Sequence, residues 1–215
     1  MNARRAAAAV LLPLLLSACG SDQGVALSAD EANQALLTAD DVGEGFKVGE
    51  LDQKAFVTQA GKKAGKKRPE MGCLDDLLVR LQEPHNVTAD AVAEFVTKDP
   101  KTPLVSVASA VTVFAEESAA SEFVTSFEKQ ATKCTKTRGD MPEGLTFKAT
   151  VTTEAGDVPD SVDAQLRIGA DATIGIPRLE IPLRISLSFV RVGRVVMTYS
   201  YNALSPTETY ETELF

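Results

Sequence analysis

Three cysteines and one histidine are the residues of this sequence whose types could support redox, nucleophilic or metal chemistry. Cys73 and Cys134 lack the C-x-x-C spacing of a redox pair, and two isolated cysteines with one histidine lack the spacing of a zinc site. A Ser-His-Asp arrangement would have to use His85, which lies in the turn-like stretch EPHNVT and is interpreted as a surface residue. We therefore predict no catalytic residue, no metal site and no cofactor.

The remaining cysteine, Cys19, ends a segment with the features of a secretory signal. Two arginines precede an apolar run over residues 6–16, and small residues come directly before the cysteine. The run is shorter than the roughly 20 residues that span a bilayer. The motif LSAC is similar to the bacterial lipobox, in which the cysteine is lipidated and starts the mature chain. We predict a lipoprotein signal peptide over residues 1–18 and a diacylglyceryl anchor on Cys19. A plain cleaved signal is the alternative.

A lipid on Cys19 predicts attachment to the cell membrane on its extracytoplasmic face. Removal of Arg4 and Arg5 with the signal changes the net charge from −8 to −10. Phosphate contacts require basic surfaces, so this acidic chain is not expected to bind nucleic acid. Residues 19–27 are interpreted as a tether, and residues 28–215 have the length of a single domain.

Cys73 and Cys134 are the two cysteines left once Cys19 carries the lipid. In an oxidising compartment such a pair forms a disulfide. The bridge would close a long loop, which the chain-entropy estimate values at roughly 4 kcal/mol. We predict this disulfide, joining two helices on one side of a sheet.

Helix signals fall in five places, the last of them the start of a C-terminal helix in SPTETYETELF, residues 205–215. Ser28 and Glu31 have the spacing of a capping box and start a predicted helix over residues 29–37. A single helical turn is expected to start at Thr38 or Asp40 and to end at Gly43 and Gly45. Leucines at helical spacing predict a helix over 73–81, and an apolar stripe predicts a longer one over 116–133.

Strand signals are densest in the C-terminal half. Four segments alternate strictly between apolar and polar residues: 145–153, 162–170, 183–189 and 195–202. Residues 86–98 and 103–115 are predicted as two earlier strands, and residues 46–52 as a short one. Because strands occur in consecutive blocks, the predicted fold is α+β, a mostly antiparallel sheet with helices packed on one face.

The last two strands are expected to form a hairpin with a three-residue loop, Arg191 to Gly193. This register places Phe189 opposite Val195 and gives Gly193 a left-handed conformation. Pro177 and Pro182 are expected to interrupt pairing before the hairpin. The opposite face would then be a polar platform that could bind a ligand or partner; as an alternative it is the ordinary solvated side of a sheet. Its predicted residues are Arg184, Ser186, Ser188, Thr198, Ser200 and Asn202.

Five basic residues fall within residues 62–68, between Lys62 and Arg68. Such a cluster could contact anionic lipid headgroups or an anionic ligand. A solvated loop is the alternative interpretation, and the two are left open.

Taken together, the lipobox, the segment LLTADDVGEGF, the later cysteine pair and the element order resemble actinobacterial lipoproteins. More narrowly, the chain resembles the extracellular sensor domain of mycobacterial H-type Ser/Thr protein kinases. The resemblance implies an antiparallel sheet with helices on one face, a disulfide-linked helix and a ligand-binding cleft. It supplies no residue motif for the site. Members of that family often have a second disulfide, which is absent here. They usually end in a full helix, whereas this sequence reaches Phe215 after about two turns, so either a short helix or a truncated sequence is expected.

These observations predict a lipid-anchored, extracytoplasmic lipoprotein with a sensor-like, non-catalytic domain that binds a small ligand or partner. The alternative is an envelope lipoprotein that carries lipid, enclosing acyl chains in an apolar cavity. A third possibility is an envelope-assembly protein that binds only other proteins. A polar cleft would favour the sensor-like binder, and a large apolar cavity would favour the carrier.

Overall fold

A computed structural model of the chain describes residues 27–49, 71–82, 84–99, 104–140, 144–156, 158, 161–176 and 179–204. The predictions for Cys19, for Lys62 to Arg68, and for a helix after residue 204 lie outside these residues. So do the signal peptide and nearly all of the tether. In the described part of the chain, no helix is both long enough and apolar enough to cross a membrane.

The described residues include four helices and eight strands. The helices are α1 (Ala29–Gln34), α2 (Ala39–Val42), α3 (Cys73–Gln82) and α4 (Glu117–Ala131). The strands are β1 (Phe46–Val48), β2 (Val87–Thr97), β3 (Val105–Phe114), β4 (Lys136–Asp140), β5 (Thr146–Ala155), β6 (Ala164–Ile176), β7 (Leu179–Val192) and β8 (Val195–Leu204). The helix predictions that fall within these residues are confirmed, although α1 and α4 are shorter than expected.

Both N-terminal helices begin with capping contacts, and the sequence predicted those of the first helix. The Ser28 amide donates to Glu31 Oε2 at 2.8 Å, and the Glu31 amide donates to Ser28 Oγ at 3.3 Å. Thr38 and Asp41 repeat the pattern at α2, where the Thr38 amide donates to Asp41 Oδ2 at 2.8 Å. These bonds satisfy amides that a helix start leaves without partners, so α1 and α2 begin at fixed positions.

All eight described strands form one antiparallel sheet in the order β1-β2-β3-β8-β7-β6-β5-β4. The mostly antiparallel sheet is thus confirmed. Strand β4 was not predicted, because Lys136–Asp140 has no apolar alternation. The prediction that Pro182 interrupts pairing is wrong: it lies within β7 opposite Thr173, while Pro177 lies outside the described residues.

The helices cover both faces of the sheet, which corrects the prediction of a single covered face. We call the face that carries Phe147, Phe189 and Val196 the α4 face; its core includes buried residues of α3 and α4. The opposite face, which carries Val107 and Tyr201, packs against α1 and α2 and is called the α1 face. Each pair of helices covers a different half of the sheet, and the central strands lie under both.

The predicted hairpin register is also wrong. Val192 pairs with Val195 and Phe189 pairs with Thr198, so the loop contains only Gly193 and Arg194. Gly193 has φ +55°, which confirms its left-handed conformation. A glycine with positive φ at the first of two loop positions is the preference of a type II′ turn. The shifted register moves every β8 side chain to the face opposite the predicted one.

Candidate functional site

A pocket of about 610 Å³ lies between α3 and α4 and the turn that precedes β2. Asp76 and Arg80 of α3 form one wall. Glu122 and Gln130 of α4 are part of the other wall, and His85 belongs to the turn that closes one end. We call this the helix pocket. Its opening presents charged groups, while part of its lining is aromatic.

The two walls are held together at the opposite end by the disulfide. Cys73 starts α3 and Cys134 follows α4; their sulfur atoms are 2.00 Å apart and their Cα atoms 5.7 Å apart. This confirms the predicted bridge. One turn into α3, the side-chain amide of Gln130 donates to Asp76 Oδ2 at 3.2 Å. The two contacts join Cys73 to Cys134 and Asp76 to Gln130, so α3 advances along the chain while α4 recedes. The helices therefore run antiparallel, and the contacts fix the position of one pocket wall against the other.

Phenylalanines form the floor of the helix pocket. Phe114 and Phe123 line it, with ring centroids 5.3 Å apart. Behind them, Phe127 lies 5.0 Å from Phe123 and 4.8 Å from Phe189. Tilted and edge-to-face aromatic pairs at these distances are favourable beyond their buried area. The floor is therefore an extension of the packed core.

The turn at the far end of the pocket is fixed to β3. Asn86 has φ +60°, a conformation that asparagine tolerates better than most residues. Its carbonyl oxygen accepts a hydrogen bond from the Ala115 amide at 2.7 Å. His85, the preceding residue, is exposed as expected, but it also lines the pocket. Sequence reasoning missed that role because a lone turn histidine carries no directional signal.

The polar wall of α4 was not predicted, although the sequence contains a signal for it. Glu122, Ser126 and Gln130 follow one another at i, i+4 spacing and form a stripe beside the buried one. A polar stripe next to an apolar one, on a helix cross-linked to another helix, indicates a groove between the two. Chemically, such a groove can bind a small molecule that has charged groups and an apolar part.

The predicted polar platform is not one surface. Arg184, Ser186 and Ser188 lie on the α1 face, while Thr198, Ser200 and Asn202 lie on the α4 face. Ser186 and Ser188 are buried, each opposite a tyrosine of β8. The Nε of Arg184 is 2.9 Å from Asp171 Oδ1. The six residues therefore cannot bind one ligand together.

Two pKa shifts mark the helix layer of the α1 face. The hydrogen bond from the Ser28 amide, followed by that from its hydroxyl, lowers the pKa of Glu31. Burial raises the pKa of Tyr199, and the carboxylate of Asp41 adds to the effect. Asp41 belongs to α2, and this helix covers the face on which the strand register places Tyr199.

No group of at least three metal-ligating side chains occurs among the residues described by the structure, of which His85 is the only histidine. The carboxylates of the helix pocket therefore do not form part of a recognisable metal centre within these residues. Their chemistry here is that of hydrogen-bond acceptors and negative charges.

Comparison with known proteins places this fold among extracellular domains. The model of the PknH-like extracellular domain family matches residues 25–184. The crystal structure of the extracellular domain of PknH from Mycobacterium tuberculosis is similar, with a TM-score of 0.54 and 12% identity, over 88% of this chain and 93% of that one. A search of curated proteins gave no match. Since the family model spans well over half of the sequence, this chain belongs to the PknH-like extracellular domain family.

Proposed function

We propose that this chain is a lipid-anchored, extracytoplasmic, non-catalytic sensor-like domain that binds a small ligand in the helix pocket. The observation that carries the proposal is the pocket itself: charged groups at its opening, a phenylalanine floor, and two walls cross-linked by Cys73–Cys134. Ligand sites are commonly concave, partly apolar and supplied with a few polar groups that orient the ligand.

The location outside the cytoplasm rests on two independent features. The family is one of extracellular domains, and a disulfide such as Cys73–Cys134 persists in oxidising compartments. The lipid anchor rests on the LSAC motif that ends at Cys19. With Cys19→Ser, we expect the protein to leave the membrane fraction and change its electrophoretic mobility. Retention in that fraction with unchanged mobility would contradict the anchor.

The composition of the pocket indicates the class of ligand. Arg80 and His85 offer hydrogen-bond donors, whereas the exposed carboxylates of Asp76 and Glu122 accept hydrogen bonds. Phe123 offers a half-buried aromatic surface between them. A small zwitterionic molecule with an aromatic or branched aliphatic part matches these groups. An acyl-chain carrier would instead require a long apolar cavity. The helix pocket differs from such a cavity because charged side chains surround its opening.

Native mass spectrometry of the full chain, purified in an uncharged detergent, tests the proposal. We expect a bound small molecule in the wild type. Glu122→Gln should weaken its retention because it removes a charge from the pocket. The matched control is Glu128→Gln, which changes an exposed residue of the same helix outside the pocket lining.

Three outcomes would argue against the helix pocket. Equal retention in both glutamate variants would place the ligand elsewhere. A co-purified long-chain lipid would favour the carrier. An empty wild-type protein, also after incubation with an extract of extracellular small molecules, would favour a protein that binds only other proteins.

A further inference from the structure

A second concave surface lies on the α1 face, at the end of the sheet that α1 and α2 do not cover. Lys136 and Arg138 of β4 and Lys148 of β5 surround a shallow pocket of about 460 Å³ that also includes Thr150 and Thr173. We call these three cations the basic patch. The helix pocket borders the α4 face, so the two sites lie on opposite sides of the sheet.

The strand register brings like charges together in this patch. Arg138 pairs directly with Lys148, and Lys136, opposite Thr150, lies diagonal to Lys148. Directly opposed cross-strand residues have Cβ atoms about 4.5–5.5 Å apart, and like charges at that distance are destabilising. The chain as a whole has net charge −8, so an isolated cluster of cations runs against its overall composition.

Nearby carboxylates leave most of this positive charge uncompensated. Asp171 lies within the pocket, but its Oδ1 is 2.9 Å from Arg184 Nε. Glu180 approaches Lys148 at 3.6 Å, with both side chains more than half exposed, and such surface pairs are weak. Asp140 lies on the same face as Arg138, one pleat further along β4. Within the described residues, neither Lys136 nor Arg138 forms an ion pair.

We propose that the basic patch binds a phosphate group. The guanidinium of Arg138 can donate two parallel hydrogen bonds to phosphate oxygens, and the two lysines supply compact positive charges beside it. Thr150, which pairs with Lys136, also lines the pocket, and its hydroxyl can donate a further bond. A phosphate dianion would also relieve the repulsion between Arg138 and Lys148. The phosphate could belong to a soluble ester or to a lipid headgroup.

The experiment titrates the full chain in uncharged detergent micelles at constant ionic strength. Binding is monitored by the NMR chemical shifts of the backbone amides. One arm adds inorganic phosphate, and the other adds phosphatidylglycerol to the micelles. We expect saturable shifts at the amides of Lys136, Arg138 and Lys148, with a dissociation constant in the millimolar range or tighter. Saturation in the first arm indicates a soluble phosphate, and saturation in the second arm alone indicates a headgroup.

Two variants assign the effect. Lys148→Gln should weaken binding about tenfold, as expected for the loss of a charge-assisted hydrogen bond. Lys47→Gln removes the same charge from an exposed position on β1, at the other edge of the sheet, and should leave the affinity unchanged. Neither substitution affects a residue of the helix pocket, so failure here would leave the proposed function untouched.

The competing role for these cations is protection of the sheet edge, since β4 is an edge strand and edge lysines prevent strand addition. Under that role, Lys136→Gln and Lys148→Gln would increase self-association and leave the phosphate titration unchanged. That result would overturn the proposal. So would an equal loss of phosphate affinity in Lys148→Gln and Lys47→Gln, or the absence of saturation in both arms of the titration.

Discussion

The two helix layers of this domain use different means to hold helices against the same sheet. On the α4 face, the fifteen-residue α4 contributes Val124 and Phe127 to a large core and is cross-linked to α3 by the disulfide. On the α1 face, α1 and α2 have six and four residues and no described cross-link between them. Isolated helices of that length are unstable in water, so caps and burial must supply their stability.

Burial on the α1 face is concentrated in a few side chains. Ala32, Leu36 and Val42 are buried against β1–β3 and β8. The junction of α1 and α2 is fixed where the Leu37 amide donates to the Oγ of buried Ser109 at 3.0 Å. The comparison shows that a long helix and a disulfide support the wall of a pocket, whereas short capped helices serve mainly to cover a sheet.

Phe127→Ala should have the largest effect on stability, because it removes a fully buried ring from the α4-face core. Phenylalanine-to-alanine changes in cores cost about 3–5 kcal/mol. Phe95→Ala, its counterpart on the α1 face, should cost a similar amount. Urea unfolding followed by circular dichroism measures both. Because β8 contributes to both cores, we expect a single transition in each variant; two separated transitions would show that the layers unfold independently.

Loss of the disulfide should be the next largest effect. Replacing Cys73 and Cys134 together by alanine should lower the free energy of unfolding by about 2–4 kcal/mol, since the bridge closes a long loop in the unfolded chain. Hydrogen exchange should show lower protection at the start of α3 and the end of α4. Greater loss of protection in α1 than in α3 would contradict the assignment of the bridge to one layer.

The sequence located most elements but led to two errors of face: the side chains of β8 were placed on the wrong side of the sheet, and all helices were placed on one side. Capping pairs and apolar stripes identified the helices because those signals are local. The choice of face failed at β8, because its register with β7 was set by alternation although both strands contain consecutive buried residues: Ser186 to Phe189 in β7, and Val195 and Val196 in β8. The register was derived by assuming one buried face for each strand. Central strands covered on both faces do not meet that assumption.

For the same reason the candidate site could not be read from alternation. A polar residue on a doubly covered strand can be buried, as Ser188 is opposite Tyr199. The helix pocket depends on how two helices meet, and only the cysteine pair indicated that contact. The basic patch depends on β4, which is an edge strand. Only Thr137 and Gly139 of this strand face the core, so its sequence has no hydrophobic alternation.

The hairpin offers a smaller test of the observed register. Gly193→Ala should cost about 1–2 kcal/mol, because φ is +55° there and a side chain in the left-handed region is strained. A Cβ at this position would meet no atom within 4 Å, so the cost is conformational. Gly45 has the same open surroundings without a positive φ, and Gly45→Ala should therefore have almost no effect. Equal costs in thermal unfolding would contradict the proposed turn.

The smallest effect should appear in alkaline titration, and it reports directly on which face β8 presents to α2. Burial and Asp41 raise the pKa of Tyr199 above its ordinary value of 10.0, so the unfolded chain loses this proton at a lower pH than the folded one. The contribution of Tyr199 to stability is therefore complete below the pKa that it has in the unfolded chain. This contribution is lost as pH rises through the pKa that Tyr199 has in the folded protein. Tyrosinate absorbance, with Tyr199→Phe to assign the signal, should show a smaller upward shift of the pKa in Asp41→Asn. Burial is the larger cause, so most of the shift should remain. If Tyr199 instead shared the face of Phe189, as alternation predicted, Asp41 would lie across the sheet and Asp41→Asn would leave the Tyr199 pKa unchanged.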